Sequence, residues 1–403
     1  MKKTKIVLLL IVILTVALTG CWNRRELNDL AIVVGIGIDK KDSHYVFTVQ
    51  VINQIAIQSQ TKVESRAPVV TYRIETDTIF EGIRRLTTVS PRKLFFAHLR
   101  LVVLGEVLAR QGIEEVVDFL VRDHEFRGDF FFIVARETTA AEVLEIITPA
   151  ELIPSVSFYR TLSTSARFWA PTHSVQLAPL VTDLLTPGKN PVITGLVVVG
   201  NSPSKDSTQN VQKSAPPTQV LLFSIGLFHN GRLVAWLNEG ESKGYNYIVN
   251  KISSSVAPID GPDGQNIILE ISNSTTKLRS QNQDGRPMIM IEVNTEANLG
   301  EINVPIDLKR PGALSDLERS LENKISSYIF EAIAKAKSYQ TDVFGFGGVI
   351  HRADPQTWKR LQPNWDQEFV NLPVEIVARV KIKKSGDIVT PLREAIQKSK
   401  RAQ

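Results

Sequence analysis

Leu99-Arg100-Leu101-Val102-Val103-Leu104 opens the stretch that decides the fold of the first half of this chain. It reads as a strand. Residues 113–121 follow as a helix, and Phe130-Phe131-Phe132-Ile133-Val134 as another strand. Strand, helix and strand in succession form an α/β-type unit with βαβ-like stretches, and parallel pairing is the expectation. Working outward, 31–39 (with glycines at 35 and 37), 45–57 and 69–74 also read as strands. Residues 58–67 are polar and loop-like. Asp77 or Thr78 is placed to cap a helix whose apolar face is Ile79, Ile83 and Leu86. Beyond the opening unit, 139–147 and 175–185 read as helices and 192–199 as a strand, with Glu142 in the first turn of the 139–147 helix.

Residues 201–219 contain Ser, Pro, Asn, Gln and Lys with almost nothing apolar, and read as a linker. After it, 220–228 and 232–237 flank Asn230-Gly231, a strong hairpin signal. Residues 245–252 suggest a short helix. Strands are expected at 267–271 and 288–293 about an Asp284-Gly285 turn, and at 374–382. The longest helix is expected over 316–337, with Ser315 and Glu318 as a capping box and Leu317, Leu321, Ile325, Ile329 and Ile333 as its buried stripe. The expected fold class is α+β: a multidomain body of mixed β-sheets with packed helices, after a cleaved signal peptide. Its division is 1–20 signal peptide, 21–200 N-terminal α/β-type domain, 201–219 linker, 220–390 C-terminal α+β domain and 391–403 basic tail.

The leader begins with Lys2, Lys3 and Lys5 and continues through an apolar core at 6–17, too short for a permanent bilayer span. It ends in Leu18-Thr19-Gly20-Cys21, which resembles the bacterial lipobox. In such signals the cysteine takes a diacylglyceryl group and becomes the mature N-terminus. One acyl chain holds a protein weakly and two hold it stably, so the mature chain is expected on a membrane surface without crossing it.

Composition narrows the classes further. The chain has 403 residues and 43% hydrophobic content, enough for two or three domains with real cores. The formal charge of +5 lies in the leader lysines and in the local +5 of 381–403. That leaves 21–380 at −3, so the surface is not that of a nucleic-acid binder. The tail reads as a solvated segment, with anionic headgroups as the other reading. The single cysteine leaves no intramolecular disulfide and no multi-thiolate zinc site.

The search for catalytic chemistry is mostly negative. Gly35-Ile36-Gly37 lacks the third glycine of a dinucleotide loop. Ser202-Pro203-Ser204-Lys205 has acylase-like spacing but sits in the linker. Asp123-His124-Glu125 reads as an exposed helix end rather than a metal site. Gly240-Glu241-Ser242-Lys243-Gly244 matches a nucleophile elbow. It would need His351 and an acid such as Asp342, and the bland reading is a glycine-bounded turn with Ser242 capping the next helix. Gly345-Phe346-Gly347-Gly348 is too short to cradle phosphate and reads as a tight turn beside packed Phe344 and Phe346.

Taken in order, Cys21-Trp22, Glu26-Leu27-Asn28, Gly35-Ile36-Gly37-Ile38-Asp39, Gly226, Phe228, Leu233-Val234-Ala235-Trp236-Leu237, Glu241-Ser242, Gly244, Asp342-Val343-Phe344-Gly345-Phe346-Gly347, His351, Trp358, Trp365 and Phe369 resemble the Ger(x)C family. These are the lipoprotein C subunits of bacterial spore germinant receptors. The resemblance implies a three-domain body of mixed sheets and helices, with no enzymatic activity, cofactor or metal. It implies lipidation at Cys21 and residence on the outer face of the spore inner membrane. The implied partners are the integral-membrane A and B receptor subunits, with no nucleic acid and direct small-molecule binding left open. Two other classes fit a lipid-anchored chain, a substrate-binding lipoprotein of a transporter and a serine hydrolase at Ser242. Cys21→Ala is expected to abolish membrane retention and weaken nutrient-triggered germination. Cell fractionation and a germination assay check this, and a normal response from a soluble variant would contradict it.

Overall fold

The computed structural model describes residues 4–6, 29–58, 66–200, 202–212, 214–260, 266–283, 285–302 and 310–384. The lipobox with Cys21, all but three leader residues, most of the 58–67 loop, Asp284 and the 391–403 tail lie outside them.

Two sheets carry the described residues. The first is built from β1 (Leu30–Lys41), β2 (His44–Ile52), β3 (Val69–Thr76), β4 (Lys93–Phe95), β5 (Leu101–Gly105), β6 (Phe131–Ala135), β7 (Val192–Val199), β8 (Gln219–His229) and β9 (Arg232–Trp236). Its order is β3-β2-β1-β5-β6-β7-β8-β9, with β4 paired to β1. The expected parallel pairing is present. β1, β5, β6 and β7 run parallel, and antiparallel strands flank them on both sides. Asn230 and Gly231 both have positive φ, as the two-residue turn between β8 and β9 requires.

Helices cover both faces of this sheet. In chain order they are α1 (Gln54–Gln58), α2 (Ile79–Arg85), α3 (Glu106–Gln111), α4 (Glu114–Arg122), α5 (Ala140–Glu145), α6 (Pro154–Phe168) and α7 (Leu177–Leu185). Strands enclosed this way are apolar on both faces, which is why β5 and β6 are buried throughout. Val102, Leu104, Phe130 and Phe132 pack on one side with α4, and Leu101, Val103 and Ile133 on the other with Leu144 and Phe158. Thr78 caps α2 as expected, accepting from the Glu81 N–H, and Ile79, Ile83 and Leu86 are buried. Strand β2 ends at Ile52 rather than 57, because Asn53 Oδ1 accepts from the Ala56 N–H and turns the chain into α1. The 15-residue α6 has no sequence forecast, since Phe158 and Leu162 are its only large buried apolar side chains. Within 202–212, Asn210 is buried and its amide donates to the Ile147 and Thr218 carbonyls, tying this polar stretch to the first sheet.

The second sheet is β10 (Ser255–Asp260), β11 (Asn266–Gln283), β12 (Arg286–Ile302) and β13 (Val374–Lys384), antiparallel except where β12 meets β13. Helices α8 (Glu239–Ile248) and α9 (Ala313–Ser338) pack on it, and α10 (Phe346–Ala353), α11 (Pro355–Leu361) and α12 (Trp365–Asn371) follow. The stripe from Leu317 to Ile333 is buried against Ile267, Leu269, Ile289 and Ile291. The 315/318 capping box is absent. Gly312 precedes α9 without a side-chain cap, and Glu318 instead accepts from the Ile382 N–H at 3.0 Å and pairs with Lys381 at 3.3 Å.

A capping box does occur at α8, where the Asn238 side chain accepts from the Glu241 N–H and Glu241 accepts from the Asn238 N–H. Thus 240–244 lies inside a helix, not in a turn capped by Ser242. Its glycines set a helix crossing. A Cβ on Gly244 would stand 1.9 Å from the Tyr328 carbonyl oxygen, and one on Gly240 would stand 3.1 Å from the Tyr328 ring. Gly244→Val therefore forces α8 and α9 apart, at a cost of about 3 kcal/mol or more. Thermal unfolding of the variant measures this, and wild-type stability would mean that the crossing is not packed this tightly.

Candidate functional site at the junction of the two halves

The segment Asp342-Val343-Phe344-Gly345-Phe346-Gly347 leaves the end of α9 and turns sharply, with Gly345 at φ 76°. Asp342 is buried and folds back over this turn. Its Oδ1 accepts from the N–H groups of Phe344 at 3.1 Å and Gly345 at 2.9 Å, and Oδ2 from the Gly347 N–H at 2.9 Å. The Trp365 indole N–H donates to Oδ2 at 3.2 Å. Burial pushes the carboxyl up from its ordinary 3.8 to about 6, while the backbone donors pull it back toward the charged form.

The same turn joins the halves. The Asn190 N–H donates to the Asp342 carbonyl at 2.8 Å, and the Thr341 hydroxyl donates to the Phe228 carbonyl at 2.5 Å. The outer edge of the Trp358 ring comes so close to the backbone that a Cβ at Gly188 would stand 2.4 Å from it, and one at Gly347 2.7 Å. Phe344 stacks on Phe346 at 5.1 Å, and Trp365 meets Trp358 edge-on at 5.0 Å. The turn expected at 345–348 with packed Phe344 and Phe346 is thus present, and α10 begins within it. In front lies an open cleft of about 970 Å³. Val117, Val121 and Leu184 from the first half face Trp365 across it, with Asp118 and Asp366 among its acidic residues.

The residues singled out from sequence do not assemble into a catalytic site. Ser242 is fully buried and its hydroxyl accepts from the Ile225 N–H at 3.3 Å. His351 rests 6.2 Å from the Trp358 ring. Asp342 is committed to its turn, and no hydrogen bond among the described residues joins any two of these three. Asp123 ends α4 with His124 exposed beside it. Among the described residues no group of three or more His, Cys, Asp or Glu side chains is arranged to hold a metal ion, and no helix is long and apolar enough to cross a membrane. Cys21 lies outside the described residues.

A second buried carboxylate enters the sequence reading only as the last residue of a family motif, with no role attached. Asp39 ends the 35–39 motif at the carboxyl ends of β1 and β5, where open α/β sheets usually receive ligands. Its oxygens instead accept from the Ala140 and Ala141 N–H groups at 2.8 and 3.0 Å. A Cβ at Gly105 would lie 2.2 Å from Asp39 Oδ1, so the carboxylate packs against the start of α3, at the floor of an open cleft of about 560 Å³ that Arg73, Glu106 and Glu137 also line. Gly35 and Gly37 admit α5 and α6 to the sheet, since a Cβ there would meet Ser155 Oγ at 2.1 Å or Leu144 at 3.0 Å. The local signal was an acid following alternate glycines in a strand.

Comparison with known proteins places Asp39, Ser242, Asp342 and His351 inside two matched regions. Residues 23–198 match a family model described as the spore germination protein N-terminal domain. Residues 224–386 match one described as spore germination B3/GerAC like, C-terminal. The chain is 32% identical to spore germination protein KC of Bacillus subtilis (strain 168) over 392 residues, covering 95% of this chain and 96% of that protein. It is 25% identical to spore germination protein B3 of the same organism, covering 88% and 90%. Among solved structures, that titled as the crystal structure of the GerBC protein superposes with a TM-score of 0.55 at 20% identity, covering 86% of this chain and 96% of that one.

Burial that raises an acid makes its stabilising contribution complete below the unfolded value and lost as pH rises through the folded one. The stability of the wild type relative to Asp342→Asn, which does not titrate, should therefore fall by up to about 3 kcal/mol between pH 4 and 7 and be level above. Chemical denaturation across that range checks it, and a difference that grows with pH would mean the N–H donors outweigh burial.

Proposed function

This chain belongs to the Ger(x)C family of spore germination proteins, and we propose from that premise that it is the lipid-anchored accessory subunit of a nutrient germinant receptor. In this reading Cys21 carries a diacylglyceryl group and the folded body lies on the outer face of the spore inner membrane. The integral-membrane A and B subunits are its partners. Confinement to the membrane surface raises the body's effective concentration near those subunits without any new contact. The observation that carries the reading is the coverage of nearly the whole chain by the two germination-protein regions, 23–198 and 224–386. The sequence division at 21–200 and 220–390 about 201–219 is offered with it for the chain, although β8 and β9, from beyond 219, complete the first sheet.

The reading assigns no catalysis. Ser242 is sealed in the α8 crossing, which disfavours a hydrolase, and none of the relatives' names describes an enzyme. The sheets are unlike, one long and largely parallel at its centre and one of four mostly antiparallel strands, which disfavours the paired lobes of a transporter's substrate-binding lipoprotein.

Tagged protein purified from spore membranes is expected to bring down the integral-membrane subunits, and spores lacking it are expected to lose nutrient-triggered germination. Recovery of the tagged protein alone, with an unchanged nutrient response in its absence, would overturn the assignment.

A further inference from the structure

The described body starts at Asp29, and β1 pairs in parallel with β4 so that Leu30 lies beside Lys93. The end of β2 and the start of β3 meet at the same edge of the sheet, through the pair Ile52 and Val69. Among the described residues, apolar side chains are exposed at this edge. Ile55 is 58% exposed, Val89 48% and Val70 38%. Ile55, Val70 and Arg92 line one shallow cleft of about 180 Å³. Contiguous apolar exposure on a body with well-filled cores points to a surface that is covered in use.

The chain segment beside this patch is rich in cations. Between Glu81 and Glu106 the chain carries Arg84, Arg85, Arg92, Lys93 and Arg100 and no acidic residue. Carboxylates answer three of the five: Glu81 lies 3.6 Å from Arg85, Glu125 3.2 Å from Lys93 and Asp129 3.3 Å from Arg100. The Arg92 guanidinium donates to the neutral Gln54 amide at 2.7 Å, and Arg84 lies over the Phe80 ring. Arg84 lines a separate cleft with Asp77 and Glu115, so the cation at this edge that none of these carboxylates answers is Arg92, with Asp29 exposed where the body begins.

Covalent geometry selects what covers it. Each residue spans at most about 3.6 Å, so the eight steps from Cys21 to Asp29 reach no more than about 29 Å. A tether at Cys21 holds this edge close to the bilayer. The opposite end of β1, with Asp39 and the neighbouring Val107, stands roughly 30 Å farther along the strand.

We propose that this edge, with Ile55, Val70 and Val89 beside Arg92 and Lys93, is a docking face for anionic lipid headgroups. The inference rests on the Cys21 tether and adds an orientation to it. The acyl chains hold the body at the surface, and each uncompensated cation near anionic lipid adds about 1 kcal/mol. The cations sit at headgroup level while the apolar side chains enter the interface, which leaves the far end of the first sheet toward water.

The test uses the full acylated protein in phosphatidylcholine vesicles with and without phosphatidylglycerol. Cys21 is the only cysteine and the lipid consumes it, so Val89→Cys and Val107→Cys each accept a single spin label. With phosphatidylglycerol, the label at 89 should be relaxed by oxygen in the bilayer and shielded from an aqueous nickel chelate, and the label at 107 should show the reverse. Combining Arg92→Glu and Lys93→Glu should return the label at 89 to water while the protein stays on the vesicles. Both labels in water on a retained, acylated protein would overturn the docking face alone. A chain without acyl groups that leaves the vesicles would overturn the tether and this face with it.

Discussion

Four N–H groups converge on the carboxylate of Asp342 where water has no access, and the two halves of the molecule meet around that convergence. Three donors belong to the turn that follows Asp342 and one to Trp365, more than twenty residues on. The carboxylate closes the turn after α9 and fixes the indole that anchors α12. Its own backbone carbonyl takes the Asn190 N–H from the first half. A buried acceptor with partners in three segments is costly to leave unsatisfied, so these segments keep one relative placement.

The same economy of space recurs wherever two backbones come close. Gly35 and Gly37 let α5 and α6 press on β1, Gly188 and Gly347 receive the Trp358 ring, and Gly244 brings α8 onto Tyr328. At each place a methyl group would collide with a neighbour, so the side chain's absence is what the packing uses. That accounts for a glycine-serine-glycine pattern resembling a nucleophile elbow without being one. Small side chains serve a helix crossing as well as they serve a reactive turn.

The molecule's ends are chemically unlike. At the far end of the first sheet Asp39 ties the start of α5 to β1 beneath an open cleft. At the near end, exposed apolar side chains lie with Arg92 and Lys93 where the chain enters the body. An accessory subunit needs no interior ligand site for the role proposed above, but it does need a defined attitude toward the membrane and its partners. Its polarity is of that kind.

Much of this was legible residue by residue. The alternation at 99–134, the Asn230-Gly231 turn, the Thr78 cap and the Leu317–Ile333 stripe act through neighbours a few positions apart, so composition and spacing alone determined those elements and the α+β class, while the succession of motifs from 21 to 369 carried the family resemblance. Helix α6 escaped because its buried face is small, and α10 to α12 because each is too short to display a period. The Ser315 cap failed because Glu318 found better partners on β13. What only the tertiary structure decided was which distant groups meet: Asp342 with Trp365 and Asn190, Asp39 with the start of α5, and Ser242 with a strand rather than a histidine. Those pairings are chosen by packing across the whole chain, because the energy of a buried polar group depends on who else is buried with it.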